Sequence, residues 1–339
     1  MKKLSLFLTV IIFNVCIYGQ SNQKFAEIGN LKLVEGPQIK NCRIGYRTIG
    51  KLNSDKSNVV LVPTWFGGIS ADLVGFIKST NIVDTTKYFI VCVDALGDGV
   101  SSSPSNSKSQ PDNSFPEFSI KDMVNSQYIL LTKFLGIKHL YAVFGGSMGG
   151  MQVFQWMVAY PNFMNKAIAY VGSPRLTSYG RMLFESELDA INQGRICNQP
   201  DSIILRTINS VQTMAVRTPE YYVQHVPPDS LKSYLNKIYN SMKTRFNSYD
   251  WASQINAMAL HDVSIDGSMK KAAERVKAKV FIIPSMQDHI VNPKPALSFA
   301  KLIGAKVYKF NNDCGHLAPG CEMNKFVEIV RNFLNGNTN

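Results

Sequence analysis

Several features are scarce or missing in this sequence. It has no arginine-rich arm and no basic repeat, although 36 Lys and Arg stand against 24 Asp and Glu, a formal charge of +12. Scattered charges of this kind make a solvated basic surface, and no nucleic-acid partner is expected. The five histidines and six cysteines nowhere fall at metal-ligand spacing, so no metal is expected, and nothing in the chain calls for a cofactor. The isolated apolar run at residues 4–17 is too short for an ordinary membrane span, so no integral span is expected. Internal repeats are absent. What the chain does have is bulk: 339 residues, 45% of them hydrophobic, which suits one large α/β domain or a core carrying an inserted lid.

The short apolar run has a meaning of its own. Met1-Lys2-Lys3 precedes it and Tyr18-Gly19-Gln20 follows, the basic, apolar and small-residue order of a secretory signal. Residues 1–19 are therefore expected to be removed, leaving an exported protein, periplasmic or extracellular, with a charge of 12 − 2 = +10. Cys16 follows Asn14 and Val15, a poor lipoprotein context. Five cysteines then remain, an odd number that excludes a complete disulfide framework. Cys314 and Cys321 are close enough in sequence to pair in an oxidising compartment, whereas Cys92 sits in an apolar strand as a core residue.

Apolar runs and turn signals alternate along the chain. Residues 31–35 and 42–49 read as two opening strands joined at Gly36-Pro37. Residues 58–64 and 88–94 are continuous apolar runs of the kind found in strands buried on both faces. Ser119 is a good N-cap for a helix over 120–135, which Gly136 closes. A strand over 166–172 comes next. From 174 to 274 the rhythm stops, and a stretch rich in Met, Tyr, Arg, Asn and Gln reads as a helical lid. The rhythm resumes with a strand at 279–286, a helix near 294–302, a last strand at 306–311 and a helix over 322–334. The expected organisation is an α/β core (24–173), the lid (174–274) and the rest of the core (275–336), with a mostly parallel sheet covered on both faces.

One stretch carries the chemistry. Gly145-Gly146-Ser147-Met148-Gly149 lies between an apolar, β-rich run (140–144) and a helical run (152–160) that Pro161 ends. A serine between glycines at a strand-to-helix turn is the nucleophile elbow of an α/β-hydrolase. The helix start turns the Met148 N–H toward a developing oxyanion. The turn Trp65-Phe66-Gly67-Gly68, after the run at 58–64, is placed to give a second oxyanion donor, Phe66 with Trp65 as the alternative. A serine hydroxyl needs a histidine base and an acid to orient it, in the chain order Ser, Asp, His. Among His139, His225, His261, His289 and His316, only His316 follows the last strand. Asp288 follows the strand at 279–286 and is the expected acid, with Asp313 as the alternative.

These residues resemble the homoserine O-acetyltransferase family of α/β-hydrolases over nearly the whole chain after residue 19. The resemblance lies in Gly50-Lys51-Leu52-Asn53 with Asn58-Val59-Val60-Leu61, Ile120-Lys121-Asp122-Met123-Val124 with Gln127, and Gly145-Gly146-Ser147-Met148-Gly149-Gly150-Met151-Gln152. Arg245-Phe246-Asn247-Ser248-Tyr249 and Ala257-Met258 in the lid add to it. It implies acyl transfer through an acyl-serine, with Ser147, Asp288 and His316 as the triad, and a homodimer through the lid. Two departures weigh against the family reaction. The acidic residue that the family places after its histidine is Leu317 here, and the family's His-Ala-Leu-Thr-Gly is the bulkier Thr64-Trp65-Phe66-Gly67-Gly68. Arg175 and Arg181 are candidates to grip a substrate carboxylate, or else to pair with Glu185 or Glu187, and Trp65, Tyr249 and Leu317 are further candidate substrate contacts. Acetyl-CoA is cytoplasmic, so an exported enzyme would lack that donor. The expectation is an exported serine hydrolase acting on a small-molecule ester or acyl donor. An acetyltransferase is the alternative, and a non-catalytic binding protein on the same fold a lesser one.

Overall fold

The computed structural model describes residues 21–243 and 247–337. The expected signal at 1–19, with Cys16, and the Arg245-Phe246 pair lie outside the described residues.

Eight strands among the described residues make one sheet, in the order β1-β2-β4-β3-β5-β6-β7-β8. β1 (Lys24–Lys32) and β2 (Gln38–Ile49) form an antiparallel pair that joins β4 (Phe89–Val93) edge to edge, antiparallel again. From β4 onward every pairing is parallel, through β3 (Val59–Pro63), β5 (Leu140–Gly146), β6 (Met164–Tyr170), β7 (Lys279–Ile283) and β8 (Lys306–Val307). The first strand starts earlier than its apolar residues suggest, because as an edge strand it exposes most of its side chains. The last strand is shorter than expected. It pairs for two residues, the Tyr308 N–H then donates to the Ile282 carbonyl at 3.2 Å, and a bridge between Ser285 and Phe310 extends the contact.

Continuous apolar runs form strands here because both faces of the sheet are covered. Successive side chains of a strand point to opposite faces. Accordingly Val59 and Leu61 pack in one core while Val60 and Val62 pack in the other, and Val91 and Val93 divide from Ile90 and Cys92 in the same way. Helices α1 (Ser70–Thr80), α2 (Ile120–Ile129) and α3 (Met148–Ala159) follow β3, β4 and β5. Among the described residues six more helices lie between β6 and β7: α4 (Ser178–Ile196), α5 (Asp201–Val216), α6 (Pro219–His225), α7 (Leu231–Met242), α8 (Ser248–Ala259) and α9 (Met269–Arg275). Helix α10 (Pro293–Ile303) follows β7, and α11 (Ala318–Cys321) and α12 (Met323–Asn335) close the chain. Residues of α1 and α12, among them Leu73, Ile77, Phe326 and Val330, complete one core. Those of α2, α3 and α10, among them Met123, Phe154, Trp156 and Phe299, complete the other.

The expected cap of α2 is present in full. Ser119 Oγ accepts the Asp122 N–H at 3.2 Å, and the Asp122 carboxylate accepts the Ser119 N–H at 2.9 Å. The helical path runs on past α2 through a widened π turn (Leu130–Phe134) to Gly136, which has φ +60°. There the Lys56 ammonium donates to the carbonyls of Leu135 and Gly136, the charge that a helix C-terminus favours.

Candidate active site

The site is built at the carboxyl ends of the parallel strands. Ser147 sits between β5 and α3 with φ 55° and ψ −123°, a conformation that costs a non-glycine residue of order 1–3 kcal/mol. Two glycines make the turn passable. A Cβ on Gly145 would stand 2.5 Å from the Gly149 carbonyl, and one on Gly149 would stand 2.7 Å from that of Pro63. The strain turns the Ser147 hydroxyl away from the helix and toward His316, whose Nε2 lies 2.8 Å from Oγ.

His316 comes from the turn after the last strand, with Gly315 ahead of it at φ +62°. Its Nδ1 lies 2.7 Å from Asp288 Oδ2, and the Asp288 side chain is fully enclosed. The other oxygen of Asp288 accepts the N–H groups of Ile290 and Val291, both at 2.8 Å. These bonds fix the carboxylate through Oδ1 and leave Oδ2 to the imidazole. The structure thus brings Ser147, His316 and Asp288 into a single hydrogen-bonded line. Asp313 lies elsewhere, and its backbone carbonyl accepts the Thr218 hydroxyl and N–H. His139 bonds Asn165, and His289 packs near the Tyr179 ring.

A pocket of about 500 Å³ opens onto Ser147. Trp65, Phe66, Tyr170, Met258, Ile290 and Leu317 make much of its wall. Met148 begins α3, so its N–H is one of those for which a helix has no acceptor of its own. Phe66 lines the pocket from the turn after β3. Trp65 packs its indole over Gly68, where a Cβ would stand 2.7 Å from Cδ1.

Three of the expected substrate contacts are not brought to this pocket. Arg175 is exposed, its backbone bridged to Asp262. Arg181 lies on the outer side of α4, 3.8 Å from Glu185, with both side chains about half exposed. Tyr249 lies under the guanidinium of Arg195, whose centre is 3.9 Å from the ring. Among the described residues the arginine that does line the pocket is Arg217, whose charge sits 4.0 Å over the Tyr221 ring and whose Nη1 lies 3.7 Å from Cys321 Sγ. Nothing in the spacing of the chain singles it out, because the insert folds back from a distant stretch to place it there.

Cys314 and Cys321 are joined as a disulfide, and Cys321 belongs to the pocket wall. The bond clasps the segment that carries His316. Replacing both cysteines with alanine is expected to cost about 2 kcal/mol, the loop-closure effect for so short a loop, measured as a lower urea midpoint. An unchanged midpoint contradicts this. Cys42 and Cys92 are free and buried, and burial pushes both thiols up, that of Cys42 to about 12.

Burial also shifts acids outside this hydrogen-bonded trio. Glu187, fully buried, is pushed from 4.5 up to about 8 by desolvation, against a lowering hydrogen bond from Trp251. Below about pH 4.5 both folded and unfolded chains hold that proton. Between there and about pH 8 the unfolded chain releases it while the folded chain keeps it, so this residue makes stability fall as pH rises. Glu187→Gln removes the effect. Its Tm should gain on that of the parent steadily from pH 5 to pH 8, and a constant difference across that window contradicts the assignment.

Comparison with known proteins agrees with this geometry. A family model described as the alpha/beta hydrolase fold matches residues 58–319, and the chain belongs to that family. Within it the chain is of the homoserine O-acetyltransferase-like kind, and it is an enzyme of the serine α/β-hydrolase class. It is 31% identical over 297 residues to an ethyl acetate hydrolase of Pseudomonas veronii, covering 81% of this chain and 83% of that one. It is 31% identical over 354 residues to a homoserine O-acetyltransferase of Methanosalsum zhilinae, covering 91% of this chain and 71% of the relative. An acetylester hydrolase from Corynebacterium glutamicum has a similar structure, with a TM-score of 0.82 and 26% identity, covering 92% of this chain and 97% of that one.

Proposed function

We propose that the protein is a carboxylic-ester hydrolase that works through an acyl-serine, with Ser147 as nucleophile, His316 as base and Asp288 as its orienting acid. His316 Nε2 takes the Ser147 proton as Oγ bonds to the ester carbonyl carbon. The carbonyl oxygen becomes an oxyanion between the N–H groups of Met148 and Phe66. The carbon–oxygen bond to the alcohol then breaks, and the alcohol leaves with the proton from His316. Water then attacks the acyl carbon with His316 again as base, the acyl–Oγ bond breaks, His316 returns the proton to Ser147 Oγ, and the carboxylic acid departs. The insert between β6 and β7 serves as the lid, its helices α5 and α8 supplying Gln212 and Met258 to the pocket wall.

The observation that carries the choice of hydrolysis is the pocket lining. It contains Leu317 beside the catalytic histidine, and no Asp or Glu among the described residues that line it. The ammonium of homoserine would enter without a counter-charge, at a cost of a few kcal/mol. The small apolar cavity suits a short acyl chain, in keeping with the ethyl acetate and acetyl esters named for two of the relatives. Acetyl transfer to homoserine remains the second reading, favoured by the Gly145-to-Gln152 stretch and the Methanosalsum zhilinae relative.

The test is paired turnover of p-nitrophenyl acetate, and of acetyl-CoA with and without homoserine. Ester cleavage without homoserine-dependent CoA release is expected, and the reverse pattern overturns the reading. Export belongs to the same proposal. The basic and apolar start of the chain and the Cys314–Cys321 disulfide support it. Expression of the full chain should yield a product outside the cytoplasm lacking residues 1–19, and an intact cytoplasmic product contradicts export. A homodimer through the lid completes the proposal, and light scattering at the monomer mass contradicts it.

A further inference from the structure

The turn that presents Phe66 is held from two sides. On the core side, Gln152 of α3 donates through Nε2 to the Thr64 carbonyl at 3.0 Å, and Thr64 Oγ1 accepts the Ala95 N–H at 3.0 Å. Gln152 is itself held by Gln127 at 2.5 Å, and Gln127 accepts the indole N–H of Trp156 at 2.8 Å. The helix that starts at the nucleophile thereby sets where the turn begins.

On the other side, two contacts come from the helical insert. Gln254 of α8 accepts the Gly67 N–H at 3.1 Å, next in the chain to Phe66, and donates to the Leu96 carbonyl at 3.1 Å. It therefore ties together the turns that follow β3 and β4. One helical turn earlier, Trp251 meets the Phe66 ring edge to face, with centroids 5.0 Å apart. Its indole N–H donates to Glu187 Oε2 of α4 at 2.8 Å.

Glu187 is an odd choice for that position. It is completely enclosed, and its Oε1 has no hydrogen-bond partner among the described residues. A buried carboxyl oxygen without a partner costs stability, and a leucine there would avoid the cost. What the carboxyl does supply is a fixed acceptor for Trp251, and through Trp251 a fixed seat for Phe66. An oxyanion hole stabilises a transition state only if its donors are already in place.

We propose that Gln254 and Glu187 are positioning residues for the oxyanion hole, clamping the turn at Trp65–Gly68 so that the Phe66 N–H faces the Ser147 elbow. Neither residue touches substrate. The helical insert is then part of the catalytic device as well as a wall of the pocket, because it fixes the second oxyanion donor. The inference rests on the reading of Ser147 as nucleophile and Phe66 as donor.

The experiment compares Gln254→Leu, Glu187→Leu and Glu187→Gln with the parent, in kcat and KM for p-nitrophenyl acetate and in Tm. Ser147→Ala serves as the control. Removing one oxyanion donor costs roughly 10²–10³ in kcat, and misplacing one should cost part of that. Gln254→Leu should lower kcat about 10-fold or more with KM within about twofold. Glu187→Leu should do the same, while Glu187→Gln, which keeps an acceptor for Trp251, restores kcat to near the parent value. Should Gln254→Leu fail to fold, the two Glu187 variants read the same clamp from its other end. Variants that lower Tm or raise KM but leave kcat intact overturn the proposal, as does a Glu187→Gln no better than Glu187→Leu. If the parent itself shows no turnover that depends on Ser147, the underlying hydrolase reading has failed, and that result is separate.

Discussion

Ser147→Ala should lower kcat for p-nitrophenyl acetate by roughly 10⁴-fold or more while leaving the fold intact, since removing the nucleophile or the base of a serine triad costs about as much as removing all three members. The argument rests on position. Ser147 occupies a strained backbone conformation, and its hydroxyl lies 2.8 Å from His316 Nε2. Without Oγ no covalent intermediate forms, and His316 can act only on water that is not held in place. Residual activity would come from the oxyanion donors and the pocket alone. Loss of Oγ removes one hydrogen bond from a half-buried site, so the melting temperature should change little. The check is steady-state kinetics beside a thermal melt. A variant that keeps more than a tenth of the parent kcat contradicts the nucleophile assignment.

Asp288→Asn should be almost as damaging, a loss of about 10⁴-fold in kcat, for a different reason. Asp288 Oδ1 accepts two backbone N–H groups, from Ile290 and Val291. An asparagine will keep its oxygen there and turn its NH₂ toward His316. The imidazole must then accept at Nδ1 and carry its proton on Nε2, so Nε2 points a proton at Ser147 and cannot take one. The serine is still present, but its base is in the wrong tautomer. Raising the pH should recover part of the rate as hydroxide replaces the base, which distinguishes this effect from simple unfolding. Near-parent kcat at neutral pH contradicts the role given to Asp288.

The hydrogen-bonded trio of Ser147, His316 and Asp288 was legible because each member is tied to a local pattern: glycines around Ser147, an apolar strand before Asp288, and a glycine-led turn after the last strand for His316. Strand and helix order was legible for the same reason, since buried parallel strands are continuous apolar runs. Strand ends were not. Edge strands such as β1 and β8 expose side chains on at least one side, so polarity there does not mark where pairing stops. The pocket wall was legible only in part. Trp65, Phe66 and Leu317 adjoin the motifs, and they line it. Arg217, Met258 and Gln254 reach the site from an insert whose return path depends on packing between helices, and helical periodicity does not encode that path. Arg175 and Arg181 illustrate the converse, since closeness in sequence to the strand after the nucleophile did not bring them to the pocket. The partnership of Glu187 with Trp251 joins residues 64 positions apart, with no local signal at either.

The most direct test of the central claim follows the acetyl group itself. The parent and Ser147→Ala are mixed with p-nitrophenyl acetate, quenched in acid within the first turnover, and weighed intact by mass spectrometry with peptide mapping. Decay of any adduct is then followed in water with and without homoserine. An acetyl adduct on the Ser147 peptide of the parent, absent from the variant and lost to acetate at a rate that homoserine does not change, is the result predicted here. An adduct elsewhere, or one whose acetyl group passes to homoserine, contradicts it.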